Sequence, residues 1–226
     1  MGAASERPDL GVRTFAWCAV WLILGALNFA GNELVKQPKQ KTPEFFMYSL
    51  GVGGIVLNGV LLGITLLIAL DLPKRRTFAL YSPRNLARGL GVAVLTVAFT
   101  LAVGAIVTPL LHPDRKQGIL PERGWVPGHV GAFVLSVIAV SVAAPVVEEL
   151  LFRGLGFSLL LRFGRAFALA GVGIAFGVAH GIPEALPILV PLGAGLAWLR
   201  DRTQSVFPGM IVHALFNAVQ VIVAVT

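Results

Sequence analysis

The sequence predicts an all-α fold, a polytopic transmembrane bundle of about 7–8 membrane helices. Of its 226 residues, 56% are apolar and only 13% are charged, roughly half the charged share of a soluble domain. The mean hydropathy is +0.83. The charges are gathered into short stretches between long apolar runs, as helices crossing a hydrocarbon layer require. So little polar surface cannot cover a water-soluble globule of this length, and lipid must be part of the solvent.

The first predicted span is Phe15–Ala30. Its bulky Trp and Leu residues, with no small-x-small site after it, set it apart from a cleaved signal peptide. Phe45–Leu70 and Gly89–Leu111 follow. Gly128–Phe163 has 36 residues, or about 54 Å of helix, too long for one simple crossing. It is expected to kink near Pro145, to project from the membrane, or to divide in two. Ala166–His180, Leu186–Leu199 and Val206–Val225 complete the set. No connection is long enough to fold alone, so residues 1–226 read as one transmembrane domain. Small residues four apart, at Gly59/Gly63, Gly173/Gly177 and Gly177/Gly181, are expected to bring helices close together.

The net charge of +7 does not point to nucleic acid, because the basic residues lie between apolar runs rather than on one face. They act as topology signals instead. Place the N-terminus in the cytoplasm and count Gly128–Phe163 as one crossing. The inside segments then hold Arg7, Arg13, Lys74, Arg75, Arg76, Arg84, Arg88, Arg153, Arg162, Arg165, Arg200 and Arg202. The outside segments hold Lys36, Lys39, Lys41, Arg115, Lys116 and Arg123. Twelve against six favours this orientation. The single cysteine, Cys18, lies in an apolar run, which excludes a disulfide framework and a zinc–thiolate site.

An ionisable residue at the centre of a membrane helix costs about 2.5–3.5 kcal/mol on insertion scales, so its default reading is functional. Three places in the second half of the chain carry such groups. In Glu148-Glu149-Leu-Leu-Phe-Arg153, Glu149 and Arg153 are four apart and share a helix face, where they can pair. Glu148 is rotated about 100° away and is left to work, as a carboxylate in a low-dielectric cavity suited to general-base chemistry. Phe176-Gly-Val-Ala-His180 ends the next apolar run. Glu148 lies sixteen residues before the Gly164 turn and His180 sixteen after it, so an antiparallel hairpin brings them level. His213 and Asn217 share one face of the last span, one turn apart. His213 is expected nearer the inner surface than Glu148 and His180, so helix tilt or a water-filled funnel is needed to unite them. His112 and His129 stand at loop or helix ends and are assigned no function.

One Glu, two His and one Asn in a single cavity point to hydrolysis. Glu148 and His180 can hold and deprotonate a water, while His213 and Asn217 can donate to the oxyanion formed at a carbonyl. His and carboxylate are also ordinary zinc ligands, which makes Glu148, His180 and His213 a candidate zinc set. The His-Glu-x-x-His pattern of zinc proteases is absent, and the metal-free version is preferred. The competing reading is a transporter or bacteriocin-immunity factor that binds a ligand with the same polar cluster. The lack of intramembrane charge in the first half disfavours paired transporter halves.

Taken in order on successive membrane segments, Glu-Glu-x-x-x-Arg (148–153), Phe-x-x-x-His (176–180) and His-x-x-x-Asn (213–217) resemble the CAAX protease and bacteriocin-processing family. These are type II CAAX prenyl endopeptidase-like, glutamate-dependent intramembrane proteases. The likeness covers roughly Val130 to Val225, within a core of residues 128–226. It implies an intramembrane endopeptidase with Glu148 as the catalytic carboxylate and His180 as its partner in activating water. His213 and Asn217 would stabilise the oxyanion, and Glu149, Arg153 and Phe176 would support the site. The implied substrate is a membrane-associated protein or peptide, such as a C-terminal sorting tail. The implied location is a prokaryotic plasma membrane.

Overall fold

The computed structural model describes residues 9–33, 43–111 and 125–225. Arg7, Lys36, Lys39, Lys41, His112, Arg115, Lys116 and Arg123 lie outside them. The described residues are helical and contain no strand. Seven long rods run in order: α1 Leu10–Glu33, α2 Tyr48–Ile68, α3 Leu86–Leu111, α4 Val130–Phe163, α5 Arg165–Ala179, α6 Leu186–Thr203 and α7 Phe207–Val225. Of these, α1 to α4 are long and apolar enough to cross a membrane, and α5 and α7 are shorter apolar helices. Bulky apolar side chains such as Leu67, Leu90, Phe99 and Ile106 stand exposed along α2 and α3. An exposed apolar surface of this extent requires lipid around it, so the chain is an integral membrane protein.

Local chemistry sets the helix ends. Asp9 Oδ1 accepts from the backbone N–H groups of Gly11 and Val12 at 2.9 and 3.2 Å and so starts α1. Ser205 Oγ accepts from Phe207 N at 3.3 Å ahead of Pro208, and α7 begins there. After α5 the chain turns at Gly181, whose φ of +64° suits a residue without Cβ. Asn28 of α1 donates to the last α5 carbonyl, that of Ala179, at 2.8 Å.

The bundle has two chemically distinct ends. At one, Arg13 of α1 donates to the Ile68 carbonyl ending α2 and pairs with Asp71. Arg84 N donates to Thr203 O at 2.8 Å, Arg162 to Thr14 at 3.2 Å, and Arg165 pairs with Asp201 at 3.1 Å. The starts of α1, α3, α5 and α7 and the ends of α2, α4 and α6 are therefore gathered there. At the other end, His129 Nδ1 donates to the Phe46 carbonyl at 3.2 Å, joining the starts of α2 and α4.

Rod α4 is the centre of the bundle. Of the expected alternatives, the division does not occur: the segment stays one continuous helix, widened into π-helix at Ala139–Ala143 and Glu149–Gly156. Residues Leu151 to Gly156 are all buried. The wide turns leave carbonyls for other helices to use: Trp17 Nε1 of α1 donates to Leu151 O at 3.0 Å. The Trp17 ring lies so close to Gly156 that a Cβ there would come within 2.5 Å of Cε2. Gly156→Ala is therefore expected to cost about 1–3 kcal/mol, read as a lower melting temperature of the detergent-solubilised protein. Among the predicted glycine pairs, Gly173 and Gly177 do allow close approach, against Val190 and Ala194 of α6. Gly181 sits equally close to α1 at Asn28. Gly59 and Gly63 do not: a Cβ at either meets nothing within 4 Å. Four-residue spacing specifies a face but not what lies opposite it.

Candidate active site

The site starts from an irregularity in α4. In its first π stretch Ala144 N–H bonds to Ala139 O, five residues back. The next such bond would run from residue 145 to Val140 O, but Pro145 has no N–H to give. Asn217 of α7 supplies the missing donor, its Nδ2 lying 2.9 Å from Val140 O. One amide hydrogen of Asn217 is thereby committed to the scaffold, and the other remains for the cavity it lines. Asn217→Leu should leave the part-buried Val140 carbonyl without its side-chain partner, at about 1 kcal/mol, with a matching fall in thermal stability.

Glu149 and Arg153 form the predicted pair, Nη1 to Oε1 at 3.0 Å, with both side chains fully buried. His213 joins them, its Nδ1 donating to the same Oε1 at 3.2 Å. Glu149 Oε2 lies against Gly209, where a Cβ would come within 2.5 Å of it. Arg153 also donates to Gly193 O at 3.3 Å and stacks its guanidinium over the Phe176 ring at 4.2 Å. Phe176 is the hub of this layer. Its ring meets His180 at 4.7 Å, His213 at 5.5 Å and Phe152 at 5.5 Å, edge to face in each case.

Glu148 has no such partner. Its side chain is 21% exposed, and Oε2 lies 3.8 Å from His213 Nε2. That is too long for a hydrogen bond and too short to admit a water between them. His213 thus spans the two carboxylates, Nδ1 towards Glu149 and Nε2 towards Glu148. His180 Nδ1 lies 2.7 Å from Phe176 O. A carbonyl can only accept, so Nδ1 carries the proton and Nε2 is left for the cavity.

Glu148, His180 and Asn217 line one cavity of about 670 Å³. His213 lies just behind the wall, 2% exposed. His213 and Glu148 do come together, 3.8 Å apart. Most of the remaining lining is apolar, including Leu50, Leu101, Ile188 and Phe216. Two cavity residues escaped the sequence reading. Asn58, at the middle of α2, is 8% exposed and commits one Nδ2 hydrogen to Gly54 O at 2.8 Å. Thr100 of α3 is 1% exposed, and its hydroxyl has no partner among the described residues. The signal for Asn58 was a lone amide in an apolar helix, which a search for charge passes over. His129, assigned no function, serves as a structural tie to Phe46.

Among the described residues no three His, Cys, Asp or Glu side chains gather into a group that could hold a metal ion. Glu148, His180 and His213 share a neighbourhood without converging as ligands, and both nitrogens of His213 already face carboxylates. No chemical step is routed through zinc.

Residues 130–219 match the family model for type II CAAX prenyl endopeptidase Rce1-like proteins. No curated protein and no solved structure matches the chain. Glu148, His180, His213 and Asn217 all fall inside the matched segment. Residues 130–219 are therefore similar to the Rce1-like type II CAAX prenyl endopeptidase domain, a family of intramembrane peptidases.

Proposed function

We propose that this protein is an endopeptidase that uses Glu148 to hydrolyse a peptide bond close to or within the membrane. One observation carries the reading: Glu149 is consumed by Arg153 and His213, whereas adjacent Glu148 reaches the cavity with no hydrogen bond of its own. A water between Glu148 and His180 Nε2 gives its proton to the carboxylate as its oxygen attacks the substrate carbonyl carbon. The second amide hydrogen of Asn217 donates to the oxyanion that forms. His213, fixed by Glu149 at Nδ1, turns its Nε2 towards Glu148 and positions that carboxylate. When the C–N bond breaks, Glu148 returns the proton to the leaving amine, and the carboxylate is restored. Asn58 and Thr100, on other walls of the cavity, can hold the substrate backbone in register.

The substrate in this reading is a membrane-associated protein or peptide, with a C-terminal sorting tail as one fitting form. The apolar walls suit side chains that have just left lipid. Comparing the protein termini of membranes that carry the wild-type chain or Glu148→Gln tests it. New termini, or trimmed mass, seen only with wild type identify the substrate, and identical termini in both count against proteolysis. The mechanism is metal-free, so a strong chelator should leave the cleavage rate unchanged. Loss of activity that zinc restores would overturn that part.

A further inference from the structure

We infer that the active-site cavity opens on the face of the membrane opposite the cytoplasm, so that the substrate is an exported, membrane-anchored polypeptide cleaved where it leaves the outer half of the bilayer. This rests on the protease reading for the word substrate, but the sidedness stands on independent observations.

The cavity is confined to one end of the bundle. Its lining comes from the first half of α2 (Leu50 to Asn58), the second half of α3 (Thr100 to Thr108) and the first half of α4 up to Glu148. It continues over the turn after α5 (His180, Ile182), the start of α6 and the second half of α7. The cavity also reaches Phe45, in the turn that precedes α2. Hydrogen bonds and ion pairs gather the opposite helix ends into the other pole, at Arg13–Asp71, Arg84–Thr203 and Arg165–Asp201.

Charge divides along the same axis. Among the described residues, apart from the buried site, the segments at the far pole hold ten Lys and Arg and three acids, whereas those at the cavity pole hold no Lys or Arg. The described far pole thus carries a net charge of +7, and the described positive charge sits away from the cavity mouth. Short basic connections are retained in the cytoplasm. The densest, residues 71–88, holds Lys74, Arg75, Arg76, Arg84 and Arg88 against Asp71 alone. It joins α2 to α3 at the far pole. With that connection in the cytoplasm, the mouth beside Phe45 and Ile182 faces the other side. A peptide in the cytoplasm would then meet the closed, basic end.

Single cysteines in the full-length Cys18→Ser protein test this directly. Glu184→Cys lies in the turn at the cavity mouth and Ser82→Cys in the basic connection, and both positions are exposed. A membrane-impermeant maleimide applied to intact cells of a Gram-negative host with a permeabilised outer membrane should label Glu184→Cys. It should label Ser82→Cys only after the inner membrane is opened. As a second readout, alkaline phosphatase fused after α7, which ends at the cavity pole, should be active, and a green fluorescent protein fused there should stay dark. The opposite labelling pattern, or equal labelling of both cysteines in intact cells, would overturn the inference. These readouts do not depend on turnover. An active Glu148→Gln enzyme would remove the protease reading and leave the sidedness standing.

Discussion

Glu148→Gln is expected to lower the cleavage rate by about 10²–10⁴-fold while the purified protein melts where the wild type does. Gln keeps the size of the side chain and can still hold a water, but it cannot take the proton. The structure separates the two effects because Glu148 is part-exposed and makes no hydrogen bond that the fold relies on. Its neighbour gives the contrast. Glu149→Gln alters a fully buried acceptor shared by Arg153 and His213, so it should lose stability and activity together. Measuring initial rates and melting temperatures for both variants tells catalytic loss from structural loss. A Glu148→Gln enzyme with wild-type rates would remove Glu148 from the chemistry.

The largest expected loss of stability is that of Arg153→Met. Arg153 and Glu149 are both fully buried, and removing the guanidinium leaves a carboxylate in an apolar layer with only His213 to face it. Breaking one side of a buried ion pair costs about 3–5 kcal/mol. The stacking on Phe176 and the bond to Gly193 O go with it. The double variant Glu149→Gln/Arg153→Met should recover much of the loss, because no uncompensated charge remains. It should still cleave poorly, since His213 Nδ1 no longer meets a carboxylate. Thermal unfolding in detergent with a parallel rate assay checks all three variants. Equal melting temperatures for wild type and Arg153→Met would show that the pair contributes nothing to the fold.

Hydropathy located every rod, because contact with lipid demands unbroken apolar length, but it misjudged several ends. The α1 helix begins at Leu10 rather than Phe15, since Asp9 caps it and interfacial residues can be helical without being apolar. The π turns of α4 were not legible. Pro145 signals a missing N–H, and a sequence does not say whether the chain answers by bending or by widening. The answer lay 77 residues away, in the amide of Asn217. The pairing of Glu149 with Arg153 was legible because four-residue spacing is a local rule. The bridging position of His213 was not, because it depends on how α7 leans against α4. Asn58 was passed over for a different reason: an uncharged amide carries too weak a hydropathy signal to stand out in a single helix.

The ties between His213 and Glu149, and between Asn217 and Val140, are four residues apart on α7 and fasten it to α4 at two points. Phe176 of α5 packs against His213 and Arg153, so three helices meet in one layer. Two of the cavity walls come from α2 and α3, which lie outside the matched segment 130–219. Under the proposed protease reading, substitutions at Asn58, Thr100 or Leu101 are expected to change which polypeptides are cleaved while leaving Glu148, His213 and Asn217 in place.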